Sequence, residues 1–130
     1  VLGAEAVLLI CALLDTEEIR EDLAICRFLG INAIVEAHDA AEVSSAVNAG
    51  ADIIGVNNRN LKDFTADTEN SRRLRDMIPQ NVLFVSESGV RSAGDIAVLR
   101  ELGADGVLIG ETLMRAADKK SALAELRGGI

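Results

Sequence analysis

Short apolar runs recur along the chain, each preceded by glycine or proline, and three of them close directly on polar or glycine residues, at Gly55 to Leu61, Ser86 to Val90 and Leu108 to Arg115. Three of them share one pattern, glycine-alanine-acidic-x-aliphatic-aliphatic: Gly3-Ala4-Glu5-Ala6-Val7-Leu8, Gly50-Ala51-Asp52-Ile53-Ile54-Gly55 and Gly103-Ala104-Asp105-Gly106-Val107-Leu108. Weaker copies begin at Gly30 and at Pro79. The glycine predicts a left-handed helix end, and the run after it predicts a parallel strand buried on both faces. Helix-length segments separate the runs. Asp15 with Glu18, and Asp39 with Glu42, have the spacing of capping boxes. Ile19, Leu23, Cys26 and Leu29 then fall on one stripe, as do Val43, Ala46 and Val47. Asp67 precedes a helix carrying Leu74 and Ile78 and stopped by Pro79; Ser92 precedes one carrying Ile96 and Leu99, and Asp118 one carrying Leu123 and Leu126. The order is about five β/α units, with no linker, low-complexity stretch or second domain.

The residues that close the runs are where chemistry is expected. Parallel β/α barrels place substrate beyond the C-terminal ends of their strands, and the turns after the last two strands commonly hold phosphate with backbone N–H groups. In Ala33-Ile34-Val35-Glu36-Ala37-His38, a period of two puts Ile34, Glu36 and His38 on one side, with the Glu36 carboxylate near the strand end. It suits a general acid or base, or an ion pair that only closes the barrel. The same period groups Ile53, Gly55 and Asn57, and Gly55 leaves room for something close. Arg59 offers a planar fork for carboxylate or phosphate, or is a solvated loop residue. Ser86-Glu87-Ser88-Gly89 and Ile109-Gly110-Glu111 follow the last two runs, and Gly110 opens a short helix, Glu111 to Arg115. Each turn alone is an ordinary joint; in this order they form a phosphate signal.

Charge and composition narrow the partners. A net charge of −8 and no basic stripe oppose nucleic-acid binding, and three phenylalanines without Trp or Tyr supply no stacking platform. A small anionic substrate must be held locally, by loop amides and one or two cations. The apolar start up to Leu14 lacks a basic flank and is shorter than the ~18 apolar residues of a spanning helix, so no membrane association is expected. Cys11, Cys26 and His38 lack metal-ligand spacing; both cysteines are expected free and mostly buried, in a reducing cytoplasm. The only lysines, Lys62, Lys119 and Lys120, sit away from strand ends, so a lysine general acid must come from elsewhere.

In order, Val7-Leu8-Leu9-Ile10, Val35-Glu36-Ala37-His38-Asp39, Gly55-Val56-Asn57-Asn58-Arg59-Asn60-Leu61, Val85-Ser86-Glu87-Ser88-Gly89-Val90 and Leu108-Ile109-Gly110-Glu111-Thr112-Leu113-Met114-Arg115 resemble the C-terminal half of the indole-3-glycerol-phosphate synthases. The resemblance covers essentially the whole chain. It implies an α/β fold, a (β/α)₈ TIM barrel of which residues 1–130 supply the fourth to eighth strands of a single domain. It implies a carboxy-lyase of tryptophan biosynthesis, closing the ring of the phosphorylated small molecule 1-(2-carboxyphenylamino)-1-deoxyribulose 5-phosphate with loss of CO₂ and water. No metal or organic cofactor is implied. Glu36 matches the family's general base, Asn57 and Glu87 the polar residues lining the reacting ring, and Arg59 the substrate-binding arginine. Ser88, Gly89, Gly110 and Glu111 match its phosphate-binding turns, largely through backbone donors, with Ser88 also facing the substrate. The family's Glu and Lys on the first strand, and its general-acid lysine on the third, have no counterpart here, so the isolated piece is expected to be inactive.

Two other readings stay open. One is a different phosphate-binding barrel, similar to phosphoribosylanthranilate isomerase or thiamine-phosphate synthase; the other is a noncatalytic phosphate-binding or assembly module. Five strands cannot close a normal eight-stranded barrel, which leaves two unpaired edges and an apolar interior. These would be covered by a missing N-terminal half-barrel, by a second copy, or by rearrangement into an open flavodoxin-like sheet.

Overall fold

In a computed structural model, which describes residues 3–59 and 67–128, strands and helices alternate. They run β1 (Ala6–Ile10), α1 (Thr16–Leu29), β2 (Asn32–Ala37), α2 (Ala40–Ala49), β3 (Ile53–Asn57), α3 (Glu69–Leu74), a 3₁₀ turn (Arg75–Met77), β4 (Leu83–Glu87), α4 (Ala93–Glu101), β5 (Gly106–Leu108), α5 (Glu111–Arg115) and α6 (Lys119–Leu126). Five strands form one parallel sheet in the order β1-β2-β3-β4-β5. This is an arc of a β/α barrel. The order also rules out the flavodoxin-like rearrangement, which would seat the first strand between the second and third.

Local chemistry sets the joints. Asp15 accepts from the N–H groups of Glu17 and Glu18 while Glu18 accepts from that of Asp15, completing a capping box. Ser92 and Asp95 complete another, at the start of α4. At α2 the expected box is altered: Asp39 caps Glu42 N–H, but the Glu42 carboxylate reaches one residue further back, to His38 N–H. Gly30, Gly50 and Gly103 take φ of 70°, 85° and 76°, turning the chain out of each helix into the next strand. Asp67 accepts from Glu69 N–H, and α3 ends early, so Ile78 lies buried in extended backbone beyond the helix.

The two faces of the sheet differ. Val35, Ala37, Ile54, Val56 and Phe84 point outward and are fully covered by helices, packed with Ile19, Leu23, Cys26, Val43, Ala46 and Leu74. A smaller cluster of Val90, Leu99 and Leu126, joined by Ile96 and Val107, serves the last units. Burial on both faces, as expected of these strands, does not occur. The inward-facing Leu8, Leu83 and Leu108 keep 46%, 50% and 48% of their surface open, because the arc places nothing opposite them. Leu29, placed on the buried stripe of α1, and Leu123 on α6 are exposed, their helix flanks having no neighbour. Both cysteines are free and buried. Burial, then the nearby charge of Glu42, pushes the Cys11 thiol up to about 11, which makes it inert as a nucleophile. Among the described residues no helix is long and apolar enough to cross a membrane. Asn60, Leu61, Lys62 and Phe64 lie outside the described residues.

Candidate active site

Strand register brings the inward polar residues together. Glu36 pairs with Gly55 across β2 and β3, and Asn57 pairs with Glu87 across β3 and β4, so Glu36, Gly55, Asn57 and Glu87 share the inner face at the C-terminal ends. Glu87 is only 3% exposed, yet Oε1 has no hydrogen-bond partner. Its side chain lies across β3 above Gly55, the register partner of Glu36. Burial first, then the charge of Glu36 and the hydrogen bond with it, raises the Glu87 carboxyl to about 7. A buried carboxyl that keeps its proton up to near neutrality at a strand end is able to hold and deliver one proton.

The expected phosphate turns also meet. An open cleft of about 680 Å³ is lined by Arg59, Ser88, Gly89, Arg91, Gly110, Glu111, Thr112 and Arg115 with their neighbours. Thr112 Oγ1 donates to the Val90 carbonyl at 2.6 Å, clamping the turn after β5 to that after β4. Ser88, with φ of 64°, and Gly89, with φ of 82°, both adopt left-handed backbone. Ser88 N–H is engaged by the Leu108 carbonyl at 3.2 Å, so its contribution to an anion reduces to its hydroxyl. Space beside the Gly110 Cα is open, whereas the Glu111 side chain is turned to cations: Arg59 at 2.6 Å and Arg115 at 3.0 Å. The hydrogen bond from Arg59, then the charge of Arg115, hold that carboxyl below its usual range. An anionic ligand here would meet Glu111 through backbone rather than carboxylate. Arg91 and Arg115 were not among the residues expected from sequence; their only signal is a basic residue shortly after each glycine turn.

Behind the site lies a polar knot that sequence reasoning also missed. Asn58 donates to Ser86 Oγ at 2.9 Å and the Ser88 carbonyl at 3.1 Å, and accepts from Ser71 N–H and Oγ at 3.0 and 2.9 Å. All of its side-chain hydrogen-bonding capacity is used, and the bond to Ser88 steadies that residue's left-handed backbone. Asn70 donates to the carbonyls of His38 and Asn57, and His38 Nδ1 also donates to the latter at 3.0 Å. His38 is therefore a strut between strand ends.

A parallel β/α arc with two carboxyls and an arginine- and glycine-lined cleft at its strand ends is a section of a β/α barrel with its polar residues at the end where such barrels keep their sites. Comparison with known proteins makes this specific. Residues 1–126 match the family model described as "Indole-3-glycerol phosphate synthase"; the chain belongs to this family. It is 58% identical over 127 residues to the indole-3-glycerol phosphate synthase of Ruminiclostridium cellulolyticum, covering 98% of this chain and 49% of that protein. Against the Leuconostoc mesenteroides enzyme of the same name it is 51% identical over 128 residues, again 98% of this chain and 49% of the relative. The chain spans about half the length of the curated relatives it matches. Among solved structures, 3-hexulose-6-phosphate synthase from Salmonella typhimurium superposes with a TM-score of 0.81 at 19% identity, covering 98% of this chain and 62% of that one. That likeness establishes the barrel-arc fold.

Proposed function

We propose that residues 1–130 are the C-terminal part of a single (β/α)₈-barrel domain, its fourth to eighth β/α units, and contribute half the active site of an indole-3-glycerol-phosphate synthase. The observation that carries the proposal is the convergence of Glu36, Asn57 and Glu87 at the strand ends, beside the cleft lined by Arg59, Ser88, Gly89 and Gly110. In the ring closure of the phosphorylated carboxyphenylamino-deoxyribulose, Glu36 takes a proton as general base in the dehydration. Asn57 and Glu87 line the reacting ring. Arg59, released from Glu111, binds substrate anion; the Ser88 hydroxyl and the backbone of Gly89, Gly110 and Glu111 receive phosphate. Buried free thiols fit a reducing cytoplasm.

The general acid must arrive with the other half of the barrel. Of the described lysines, Lys119 and Lys120 lie exposed at the start of α6, and Lys119 Nζ reaches only the Ala116 carbonyl. The N-terminal half would also cover the open edges of β1 and β5 and the inward Leu8, Leu83 and Leu108. The test is ring closure by this chain alone and after mixing with a separately expressed N-terminal half of a relative, followed by indole fluorescence; this chain has no tryptophan background. No turnover alone and turnover on mixing is expected. Robust turnover by the chain alone would show the acid to be assigned wrongly, and an inactive but stoichiometric complex would sink the assignment of function.

A further inference from the structure

Gly55 faces inward on β3, and the side chain of Glu87 lies over it. A Cβ built there would sit 2.8 Å from Glu87 Cδ, closer still to Glu87 Oε1, and 3.1 Å from Ile34 Cγ2. Real Cβ atoms essentially never approach so near, and the atoms in the way are those of a buried carboxyl. The absent side chain opens a lane across β3, from Glu87 on β4 to Glu36 on β2, which register alone keeps two strands apart. Gly55 has ordinary extended backbone, so no left-handed conformation requires glycine here.

The lane ends at another carboxyl. Glu87 Oε1 lacks a donor, and Glu36 can donate only when protonated. The residues level with this point on the flanking strands are mostly uncharged. From β1 comes Ile10 and from β5 Leu108; β3 adds Asn57, and the remaining titratable group on β2, His38, has Nδ1 committed to the Asn57 carbonyl. Burial first, and then the charge of Glu36, holds the Glu87 carboxyl above its ordinary range.

We propose that Gly55 is a positioning residue, whose lack of a side chain lets the Glu87 carboxyl cross β3 and join Glu36 as one proton-sharing pair. The consequence for turnover rests on the ring-closure function proposed above; the pairing itself does not. When Glu36 gives up or accepts a proton, Glu87 is the neighbouring carboxyl that responds to the change. Methyl-sized obstruction at Gly55 separates the two without removing either.

The test compares wild type with Gly55→Ala, both as this chain and in the barrel completed by an N-terminal half. The first readout is the titration of the ¹³C-labelled Glu87 carboxyl, which needs no substrate. Separation should lower its midpoint by about one pH unit or more, toward the ordinary carboxylate range. The second is the pH profile of kcat in the completed barrel: the limb assigned to the pair should move in the same direction, with kcat down about tenfold and KM within about twofold. If Gly55→Ala does not fold, Glu36→Gln replaces it; removing the partner carboxyl should lower the Glu87 midpoint in the same direction. An unchanged Glu87 titration in the folded variant overturns the proposal. A shifted titration in a completed barrel without ring-closure activity supports the pair while refuting the assigned function.

Discussion

The outer and inner faces of the sheet are built from the same strands by alternate residues, and they do opposite work. Outward residues such as Val35, Ile54, Val56 and Phe84 are apolar and fully buried under helices. Ser86, equally buried on that side, is tied into the Asn58–Ser71 knot. One residue away along each strand, the inward face carries Glu36, Gly55, Asn57 and Glu87 near the mouth, beside half-open Leu108, with half-open Leu8 and Leu83 below. One face holds the arc together without a barrel; the other has chemistry and apolar surface that only a barrel completes. Stability and reactivity are thus separated by the two-residue period of a strand.

Substitutions can break that separation in decreasing order of effect. Phe84→Ala removes the largest fully buried side chain of the outer face, and the ring beneath the Arg75 guanidinium, 5.4 Å away. It should cost about 3–5 kcal/mol by urea unfolding, and an effect below about 1 kcal/mol would mean the outer face is not the main source of stability. On the inner face, Glu36→Gln in the completed barrel should lower turnover about 10²-fold with little change in substrate affinity; a loss confined to KM would move Glu36 to a binding role.

A smaller effect tests whether the inner face opposes stability. Glu87 has a folded value of about 7 against an ordinary 4.5, so the folded state binds the extra proton and the stabilisation is full below pH 4.5. It declines as pH rises toward 7. Glu87→Gln should remove that decline and leave the chain about 2 kcal/mol more stable than wild type at pH 8. Parallel stability curves for the two proteins between pH 4 and 8 would contradict a buried, protonated Glu87. Least in free energy, Gly110→Val should fill the open space beside the cleft and weaken a phosphorylated ligand about tenfold more than its dephosphorylated analogue. Equal weakening would remove phosphate from this turn.

How much of this was legible in the sequence follows from the same periodicity. Glycine marked the joints at Gly30, Gly50 and Gly103 because a left-handed helix end favours it, Pro79 marked another by stopping its helix, and strand alternation grouped Glu36 with Ile34 and Asn57 with Gly55 on one side of their strands. The limits Glu111 to Arg115 of the short helix after Gly110 are as expected. Burial on the inner side was misjudged at Leu8, Leu83 and Leu108 because an apolar residue in a strand carries no mark of whether anything lies opposite. Asn58, Asn70 and Ser71 went unassigned because their partners are distant in sequence and reached through side chains. Ser86 did carry a hint: a polar residue at an outward, helix-covered position requires a partner. The crossing of Glu87 over Gly55 was half visible, as room without an occupant.

The sequential order of the strands bears on how the arc forms. Ala6 pairs with Asn32, Val35 with Ile54, Ile53 with Leu83, and Val85 with Gly106, so each strand finds its partner in the unit immediately before or after it. Every loop that must close therefore has the length of one β/α unit, and no pairing joins units that are not adjacent. Each pairing must still close over a whole helix, so its chain entropy is lost before the contacts form, as in other parallel sheets. In the completed barrel proposed above, sealing β1 and β5 against other strands is the one pairing that no unit of this chain supplies, which would make ring completion a docking reaction between preformed sheets.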